Sequence, residues 1–316
     1  MPDPTPFRLA HLSDPHVGPL SRPRLRHLLG KRATGYANWR RGRSRSHDMA
    51  VLSALVADLR AQGPDHVACT GDLCNIGLPS EWETARTFLE ALGTPDAVSF
   101  VPGNHDAYVR GSLEGLLAQC DRWTADDGGC GSRFPYLRRR GPLALVGLST
   151  AIPTIPFVAS GRLGGAQIAA AEALLRALAT EPGRPCRVVM IHHPPHPGGA
   201  SPGRELRDAA AFTAMIARAG AELILHGHNH VASSAPIAAA MPPCAQPVAV
   251  PSPSGLALTS VTGRGARRSA TLRPATPAPT TTTRSAGFRE SAFIGRAPPA
   301  SAPPRPAPGR RGQDRP

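Results

Sequence analysis

Short apolar runs alternate with longer one-sided helical patterns along most of the chain. The apolar runs are typical of buried strands and fall at residues 7–12, 66–70, 98–101, 143–148, 187–191 and 223–225. The helical patterns fall at residues 48–62, 81–92, 165–179 and 207–219. In the first of them, Met49, Leu52, Leu55 and Leu59 recur at the spacing of a helix with one apolar face. Strands that alternate with helices of this length predict an α/β layer architecture.

The alternation stops after about residue 250, where the composition changes. From Gly263 onward no apolar period is sustained, ten prolines are scattered along the sequence, and residues 280–283 form a threonine run. Such a segment cannot bury enough apolar surface to offset the entropy that is lost when it becomes ordered. The sequence therefore predicts a domain over residues 1–250 and a disordered tail, rich in Pro, Arg and Thr, over residues 251–316.

Five blocks of polar residues stand at or just after the ends of predicted strands. They contain Asp14 and His16; Asp72; Asn104, His105 and Asp106; His192; and His228 and His230. A lone aspartate in such a place is usually a turn residue or a helix cap, and a lone histidine is usually structural. Together, carboxylate, amide oxygen and neutral imidazole suit Mn, Fe or Zn, so the joint occurrence favours a metal site. The number of candidate ligands exceeds the needs of one ion and fits two ions that share a bridging carboxylate.

These blocks resemble the motifs of the calcineurin-like metallophosphoesterases, which read D-x-H, G-D, G-N-H-D/E, H and G-H-x-H. The resemblance spans about residues 7–232 and is nearest to the bacterial cyclic-nucleotide phosphodiesterase-like branch, whose members start with H-L-S-D-x-H. It implies a four-layer αββα sandwich, in which two mixed β-sheets pack face to face with helices outside. It also implies that the metals lie at the carboxyl ends of the strands.

The resemblance further implies a role for each residue of the motifs. One metal would be held by Asp14, His16 and His230, the other by Asn104, His192 and His228, with Asp72 bridging them. A metal-bound hydroxide would be the nucleophile, since binding to a metal lowers the pKa of water towards about 7. His105 would lie near the leaving-group oxygen, and Asp106 would orient the His105 ring. The adjacent His193 matches no ligand position of the family.

The implied activity is that of a phosphoric ester hydrolase acting on a small-molecule phosphodiester or phosphomonoester. Two other hypotheses stay open: a nucleic-acid-binding protein that acts through its basic tail, and a metal-binding relative without turnover. The distribution of charge along the chain gives little reason to expect that the folded domain binds nucleic acid. Residues 264–316 hold eleven arginines against two acidic residues, so the first 263 residues carry only +5 of the net +14. The sequence does not predict an oligomeric state.

A basic segment follows the first ligand block directly. Residues 22–47 contain nine Arg or Lys residues and no Asp or Glu. The segment is predicted to be a cap or loop insertion, which would attract an anionic substrate or make peripheral contact with an acidic membrane surface. The alternative is a solvated, partly ordered loop.

The chain departs from the family pattern at two places. Asn75 stands where many relatives carry a second aspartate after G-D-x-x, at a position that is not a direct metal ligand. Relatives also continue after G-H-x-H into strands that complete the second sheet, and here residues 247–252 begin like such a strand before the composition changes. This change motivates the hypothesis that the C-terminal segment is a frame-shifted or otherwise altered reading, which would leave the second sheet without an edge strand.

Cysteine usage and apolar content bear on location. The six cysteines form no C-x-x-C pair and are sparse for 316 residues, which is typical of reduced thiols in a cytoplasmic protein. The first residues show neither a basic n-region nor an apolar h-region, and no uninterrupted apolar stretch approaches ~18 residues. The expected location is therefore the cytoplasm, without a membrane span.

Overall fold

The computed structural model describes residues 7–43, 47–129, 134–231, 235–237, 248–251, 257–261 and 273–274. Its strands are β1 Phe7–Leu12, β2 His66–Cys69, β3 Val98–Phe100, β4 Tyr136–Arg140, β5 Leu143–Gly147, β6 Cys186–Met190, β7 Leu223–His226, β8 Ala235–Pro236, β9 Val248–Pro251, β10 Ala257–Val261 and β11 Arg273–Pro274. Its α-helices are α1 Lys31–Asn38, α2 Met49–Ala61, α3 Pro79–Leu92, α4 Ser112–Cys120, α5 Gly165–Thr180 and α6 Ala209–Ala219. Short 3₁₀ turns lie at Leu25–His27 and Asp121–Trp123, and a π-helical turn at Trp39–Arg43 continues α1.

The strands form two mixed sheets. The first has the order β11-β10-β1-β2-β3, in which β1, β2 and β3 are parallel and β10 is antiparallel to β1. The second has the order β4-β5-β6-β7-β9-β8, in which β5, β6, β7 and β9 are parallel. Two mixed sheets flanked by helices confirm the predicted fold.

Three apolar clusters separate the four layers. Along β5, Ala144 and Val146 point to the cluster shared with α5 and α6, whereas Leu143 and Leu145 point to a cluster between the two sheets. This period of two is expected for a strand that is buried on both faces. The cluster between the sheets also receives Leu9 of β1, while the outer face of the first sheet packs against α2, α3 and α4.

Strand β4 ties the two sheets together through two buried side chains. The hydroxyl of Tyr136 donates to the carbonyl of Phe100 at 2.8 Å. The guanidinium of Arg138 donates to the carbonyls of Val98 at 2.8 Å and Ala125 at 2.8 Å. Because these carbonyls belong to β3 and to the segment after α4, the bonds fix the spacing between the sheets.

The predicted strands and helices are confirmed, with ends that differ by at most two residues. The additional elements α1, α4 and β4 fall in segments that the sequence left as a basic insertion or as a loose stretch. The strand predicted at residues 247–252 is present as β9, and with β8 it forms the edge that an altered C-terminus was expected to leave open. The missing edge that would follow from an altered C-terminus is therefore not seen, because β7 pairs with β9, and the hypothesis of an altered reading stays a prediction.

Paired strands continue past the predicted domain boundary at residue 250. Strand β10 pairs with β1 from Phe7 opposite Val261 to His11 opposite Ala257, so the first sheet includes residues after 250. Most of the predicted tail lies outside the described residues, and its disorder, like the boundary itself, stays a prediction. Among the described residues, none of the helices combines the length and the apolar character needed to cross a membrane.

Candidate metal centre

All seven predicted metal ligands lie in loops that leave the carboxyl ends of parallel strands. Asp14 and His16 follow β1, Asp72 follows β2, Asn104 follows β3, His192 follows β6, and His228 and His230 follow β7. Six of them are buried and His230 is partly exposed. Because the two sheets face each other, their loops converge on one edge of the sandwich, where ligands are expected in such folds.

The donor atoms of six of these residues form two groups. Asp14, His16 and His230 lie within 4.8 Å of one another, and so do Asp72, His192 and His228. Nε2 of His230 is 3.3 Å from Oδ1 of Asp14 and 3.3 Å from Nε2 of His16. The first group is the first predicted ligand set. The second group contains two members of the second predicted set, together with Asp72, the predicted bridge, and lacks Asn104.

Asn104 reaches the second set through His192. Its Oδ1 lies 3.2 Å from Nε2 of His192, so an amide oxygen and an imidazole nitrogen face the same point. The other nitrogen of His192, Nδ1, donates to the carbonyl of Thr70 at 2.7 Å. A neutral His192 therefore keeps its lone pair on Nε2, as a metal ligand requires.

Asp72 lies between the two sets. Its Oδ2 is 3.4 Å from Nε2 of His192 and 3.8 Å from Nε2 of His16. Its Oδ1 accepts the backbone N–H of His105 at 2.7 Å. One carboxylate oxygen is thus anchored to the backbone, and the other faces an imidazole from each set.

Two buried polar atoms test whether the residues fit metal ions. Nε2 of His228 is buried and, among the described residues, has no hydrogen-bond partner; Oδ1 of Asp14 is buried too and is faced by the ring of His230, itself a predicted ligand, at 3.3 Å. Orphaned buried groups of this kind are costly and need an explanation. A cation held by Asp14 and another held by His228 would satisfy both atoms, so the donor set fits two ions.

The backbone at the ligands is strained. Positive φ angles occur at Asp14 (56°), His16 (41°), Asp72 (58°), His228 (77°) and His230 (55°). Each non-glycine residue in this region costs on the order of 1 kcal/mol or more, and such residues cluster at functional sites. The left-handed turns aim the side chains away from the ends of the strands and towards one point.

The ionisable groups perturb one another strongly. Burial alone raises the pKa of Asp72, but the rings of His192 and His105 outweigh it, so this pKa lies well below its ordinary value. Burial also lowers the pKa of His228 far below its ordinary value, with the rings of His193 and His192 adding to the effect. Burial lowers the pKa of His192, but the carboxylate of Asp72 outweighs burial and raises it to about 9. Without a cation the two groups form an ion pair, and a bound cation would take the place of the proton on His192.

Both ring nitrogens of His193, the neighbour of His192, have hydrogen-bond partners within the protein. Its Nδ1 is 2.7 Å from the hydroxyl of Thr150, and its Nε2 is 3.0 Å from the carbonyl of Ala159. Burial lowers its pKa to about 3. With both nitrogens occupied, His193 belongs to neither donor set, in keeping with the ligand assignment made from the sequence.

His105 lies at the mouth of the cluster. Its ring centroid is 4.7 Å from that of His16, and its other side stacks on Tyr108 at 5.4 Å. Nδ1 is 2.5 Å from the carbonyl of Asn75, which can only accept, so Nδ1 carries the hydrogen. The backbone of Asn75 therefore orients the ring.

The predicted role of Asp106 in orienting His105 stays a prediction, and the hydrogen bonds of its carboxylate go to backbone groups. Its carboxylate accepts the backbone N–H groups of Asp72 at 2.9 Å, Cys74 at 2.9 Å and Gly103 at 2.8 Å. Both oxygens are used in joining the loop after β2 to the loop after β3. Asp106 thus holds the backbone of Asp72 in place, which is the role of a positioning residue.

Replacement of Asp106 by asparagine is expected to destabilise the fold by about 2–3 kcal/mol, because an amide NH₂ would face backbone N–H groups and leave buried donors unpaired. Thermal unfolding followed by circular dichroism measures this, with the exposed Asp58→Asn as a matched control that should unfold like the wild type. An unchanged midpoint in Asp106→Asn would contradict the assigned role.

One residue near the cluster was missed by motif reasoning. The ring of His47 lies 4.8 Å from that of His16 and 6.1 Å from that of His230. Together with Trp39 and Met49 it lines a cavity beside His16. No spacing in the sequence marks His47, because it is brought to the site by the fold of the basic segment.

Comparison with known proteins identifies the class. The family model for calcineurin-like phosphoesterases matches residues 7–232, and the chain belongs to this family. The resemblance predicted from the five motif blocks is thereby confirmed.

A curated relative and two solved structures are similar to the chain. The glycerophosphodiester phosphodiesterase GpdQ of Enterobacter lignolyticus is 29% identical over 170 residues, which are 53% of this chain and 56% of that protein. The chain thus matches little more than half of that relative's length. A dimetal phosphatase from Danio rerio has a TM-score of 0.49 and 14% identity, covering 81% of this chain and 92% of its own. Purple acid phosphatase PPD1 from yellow lupin has a TM-score of 0.46 and 13% identity, covering 88% and 47%.

Proposed function

We propose that the protein is a dinuclear metal-dependent phosphohydrolase whose substrate is a small-molecule phosphodiester. The observation that carries the proposal is the position of Asp72, whose carboxylate faces His192 of one donor set and His16 of the other. A shared carboxylate between two donor sets is the arrangement that a two-metal site needs. Membership of the phosphoesterase family supports the reaction class.

The two ions, drawn from Mn, Fe or Zn, would be held by the residues already named. The first ion would take Asp14, His16 and His230, the second Asn104, His192 and His228, and Asp72 would be shared. When bound, such ions activate water and polarise phosphoryl oxygens as Lewis acids. Imidazole and carboxylate donors in this ratio favour these metals over Mg or Ca.

His105 is proposed to act on the leaving group. Because Nδ1 is committed to the carbonyl of Asn75, any proton that the ring gives to a leaving oxygen sits on Nε2. The stacking on Tyr108 and the carbonyl of Asn75 fix the plane of the ring. A ring held on both sides delivers its proton without first having to reorient.

The preference for a diester is supported by the curated relative, which is named a glycerophosphodiester phosphodiesterase. The cavity lined by His16, Trp39 and His47 offers an aromatic surface for the second ester group. A monoester has no such group to place there. A cytoplasmic location is part of the proposal and is supported by the free, buried thiols of Cys69, Cys74 and Cys120.

Metal removal tests the proposal. Full-length protein treated with a chelator is expected to lose hydrolysis of bis(p-nitrophenyl) phosphate and to regain it with Mn²⁺, with two equivalents bound per chain by elemental analysis. The monoester p-nitrophenyl phosphate is expected to be cleaved at least about tenfold more slowly.

Each outcome of this experiment bears on a different part of the proposal. Activity that survives complete removal of metal would overturn the mechanism. Binding of a single equivalent at full activity would overturn the dinuclear site, and a faster monoester reaction would overturn only the substrate preference. Two bound equivalents without hydrolysis of either ester would favour the metal-binding relative without turnover.

A further inference from the structure

The four most exposed large apolar side chains of the described residues lie on two segments. Leu25 (86% exposed) and Leu29 (75%) precede α1, and Ile155 (71%) and Phe157 (85%) lie in the loop after β5. Single exposed apolar residues are ordinary, but a group of them marks a surface that another molecule covers.

The two segments are tied together by Lys31 at the start of α1. Its Nζ donates to the hydroxyl of Thr154 at 2.6 Å and to the carbonyl of Val158 at 3.1 Å. These bonds hold the segment before α1 beside the loop that carries Ile155 and Phe157. Because the two segments are neighbours, we treat their four exposed apolar side chains as one surface, which we call the basic–apolar face.

The loop after β5 is built so that it presents its apolar side chains outward. Phe157 has a φ of 65°, a conformation that a bulky residue rarely adopts. The backbone N–H of Val158 closes the turn on the carbonyl of Ile155 at 3.2 Å, and the hydroxyl of Thr154 bonds to the carbonyl of Val158 at 2.5 Å. The turn thus holds the Phe157 ring in water at a conformational cost.

The same face is strongly basic. Arg22, Arg24 and Arg26 are exposed and alternate with the apolar positions around Leu25. No Asp or Glu occurs between Asp14 and Asp48, so no acidic side chain of this segment offsets the charge. Apolar side chains among arginines complement a surface that is negative outside and apolar beneath, which is the interface of an anionic bilayer.

We propose that the basic–apolar face docks on an anionic lipid bilayer, with Leu25, Leu29, Ile155 and Phe157 inserted and the arginines at the headgroups. This inference does not depend on the proposed reaction. Its consequence for the site is one of position, because Nζ of Lys31 also lies 4.6 Å from the ring of Tyr108, which stacks on His105. Docking would bring the donor cluster close to the lipid surface.

Vesicle co-sedimentation of the full-length protein tests the proposal. Binding to vesicles of phosphatidylcholine with 30% phosphatidylserine is expected to exceed binding to pure phosphatidylcholine. The double variant Leu25→Ser/Phe157→Ser is expected to lower the partition coefficient about 100-fold, since each inserted side chain contributes roughly tenfold. Arg24→Gln/Arg26→Gln is expected to lower it about 25-fold, from roughly fivefold per arginine.

Matched controls separate this face from the basic C-terminal segment, which all variants share. Val51→Ser removes an exposed apolar side chain elsewhere, and Arg184→Gln removes an exposed arginine elsewhere; both are expected to bind like the wild type. Thermal unfolding of every variant checks the fold without any use of catalysis. The proposal is overturned if the wild type binds neither vesicle. It is also overturned if the Leu25/Phe157 variant binds as tightly as the wild type, because the arginine-rich tail or a partner of another kind would then account for the association.

Discussion

Replacing Asp72 by asparagine is expected to lower kcat/KM for a phosphodiester by at least about 10³-fold, because a two-metal site contributes several kcal/mol of transition-state stabilisation and each 1.36 kcal/mol is tenfold in rate. Asparagine has the same shape and can still accept the N–H of His105 through its oxygen. Its NH₂ group would then face the rings of His192 and His16, where a negative charge now lies. Elemental analysis should show fewer than two metals per chain.

The matched control for this variant is Asp58→Asn, an exposed aspartate of α2 whose carboxylate accepts from the side chain of Gln62 at 2.6 Å. It is expected to keep full activity and two metals. If Asp72→Asn retained a tenth of the wild-type activity with its full metal content, Asp72 would not be the shared ligand. A folded variant that binds metal but does not turn over would place the role of Asp72 in the reaction alone.

Much of the site was predictable because its residues follow patterns that are local in the sequence. The strand that ends at Cys69 is apolar after its first residue, His66, so the polar Asp72 that follows it has to lie at the end of a buried strand. The same reasoning places Asn104 after β3 and His192 after β6. Parallel strands bring these ends to one edge, which is why separate blocks could be assigned to one cluster.

The parts that were missed depend on contacts between distant segments. Asp106 follows His105 directly, and nothing local indicates that its carboxylate joins two loops through backbone N–H groups while the carbonyl of Asn75 orients the ring. Helix α1 was missed because its sequence has no apolar period. It is held by the packing of Tyr36 against a small apolar cluster and by polar bonds from Arg32 to the carbonyls of Ile76 and Gly77.

The pairing of β10 with β1 was missed for a different reason. It joins residues near 260 to residues near 10, across almost the whole chain. The segment around β10 also has the polar, proline-rich surroundings of a tail, so composition favoured disorder over a strand. A strand adjacent to an existing edge needs little apolar sequence, because the ladder of backbone hydrogen bonds contributes to its stability.

The loops of the cluster approach so closely that two motif glycines leave no room for a side chain. A Cβ added at Gly103 would overlap Oδ1 of Asp72 and lie 2.7 Å from Cε1 of His192. A Cβ added at Gly227 would overlap Oγ of Ser13 and lie 2.5 Å from Oδ2 of Asp14. The glycines of these motifs are therefore explained by the distance between loops.

Gly227→Ala is accordingly expected to separate the loop after β7 from the loop after β1. Ser13 cannot yield easily, since its hydroxyl bonds to the carbonyl of Thr70 at 3.2 Å within the core. Separation would break the bond from the N–H of His228 to Oδ2 of Asp14, now 2.9 Å, and would move His230 away from Asp14 and His16 of its donor set. We expect activity to fall about 100-fold, as for a loss of about 2.7 kcal/mol of transition-state stabilisation, and the free energy of unfolding to fall by about 1–3 kcal/mol.

Gly165→Ala is the matched control, because a Cβ at Gly165 meets no atom within 4 Å at the start of α5. It is expected to leave activity and metal content unchanged and to leave stability equal or slightly higher, since alanine favours the helix over glycine. Steady-state kinetics, elemental analysis and thermal unfolding of both variants decide the matter. If Gly227→Ala kept wild-type activity and metal content, the close approach of the two loops would be incidental to the site, and the geometry of the cluster would have to tolerate shifts of several tenths of an ångström.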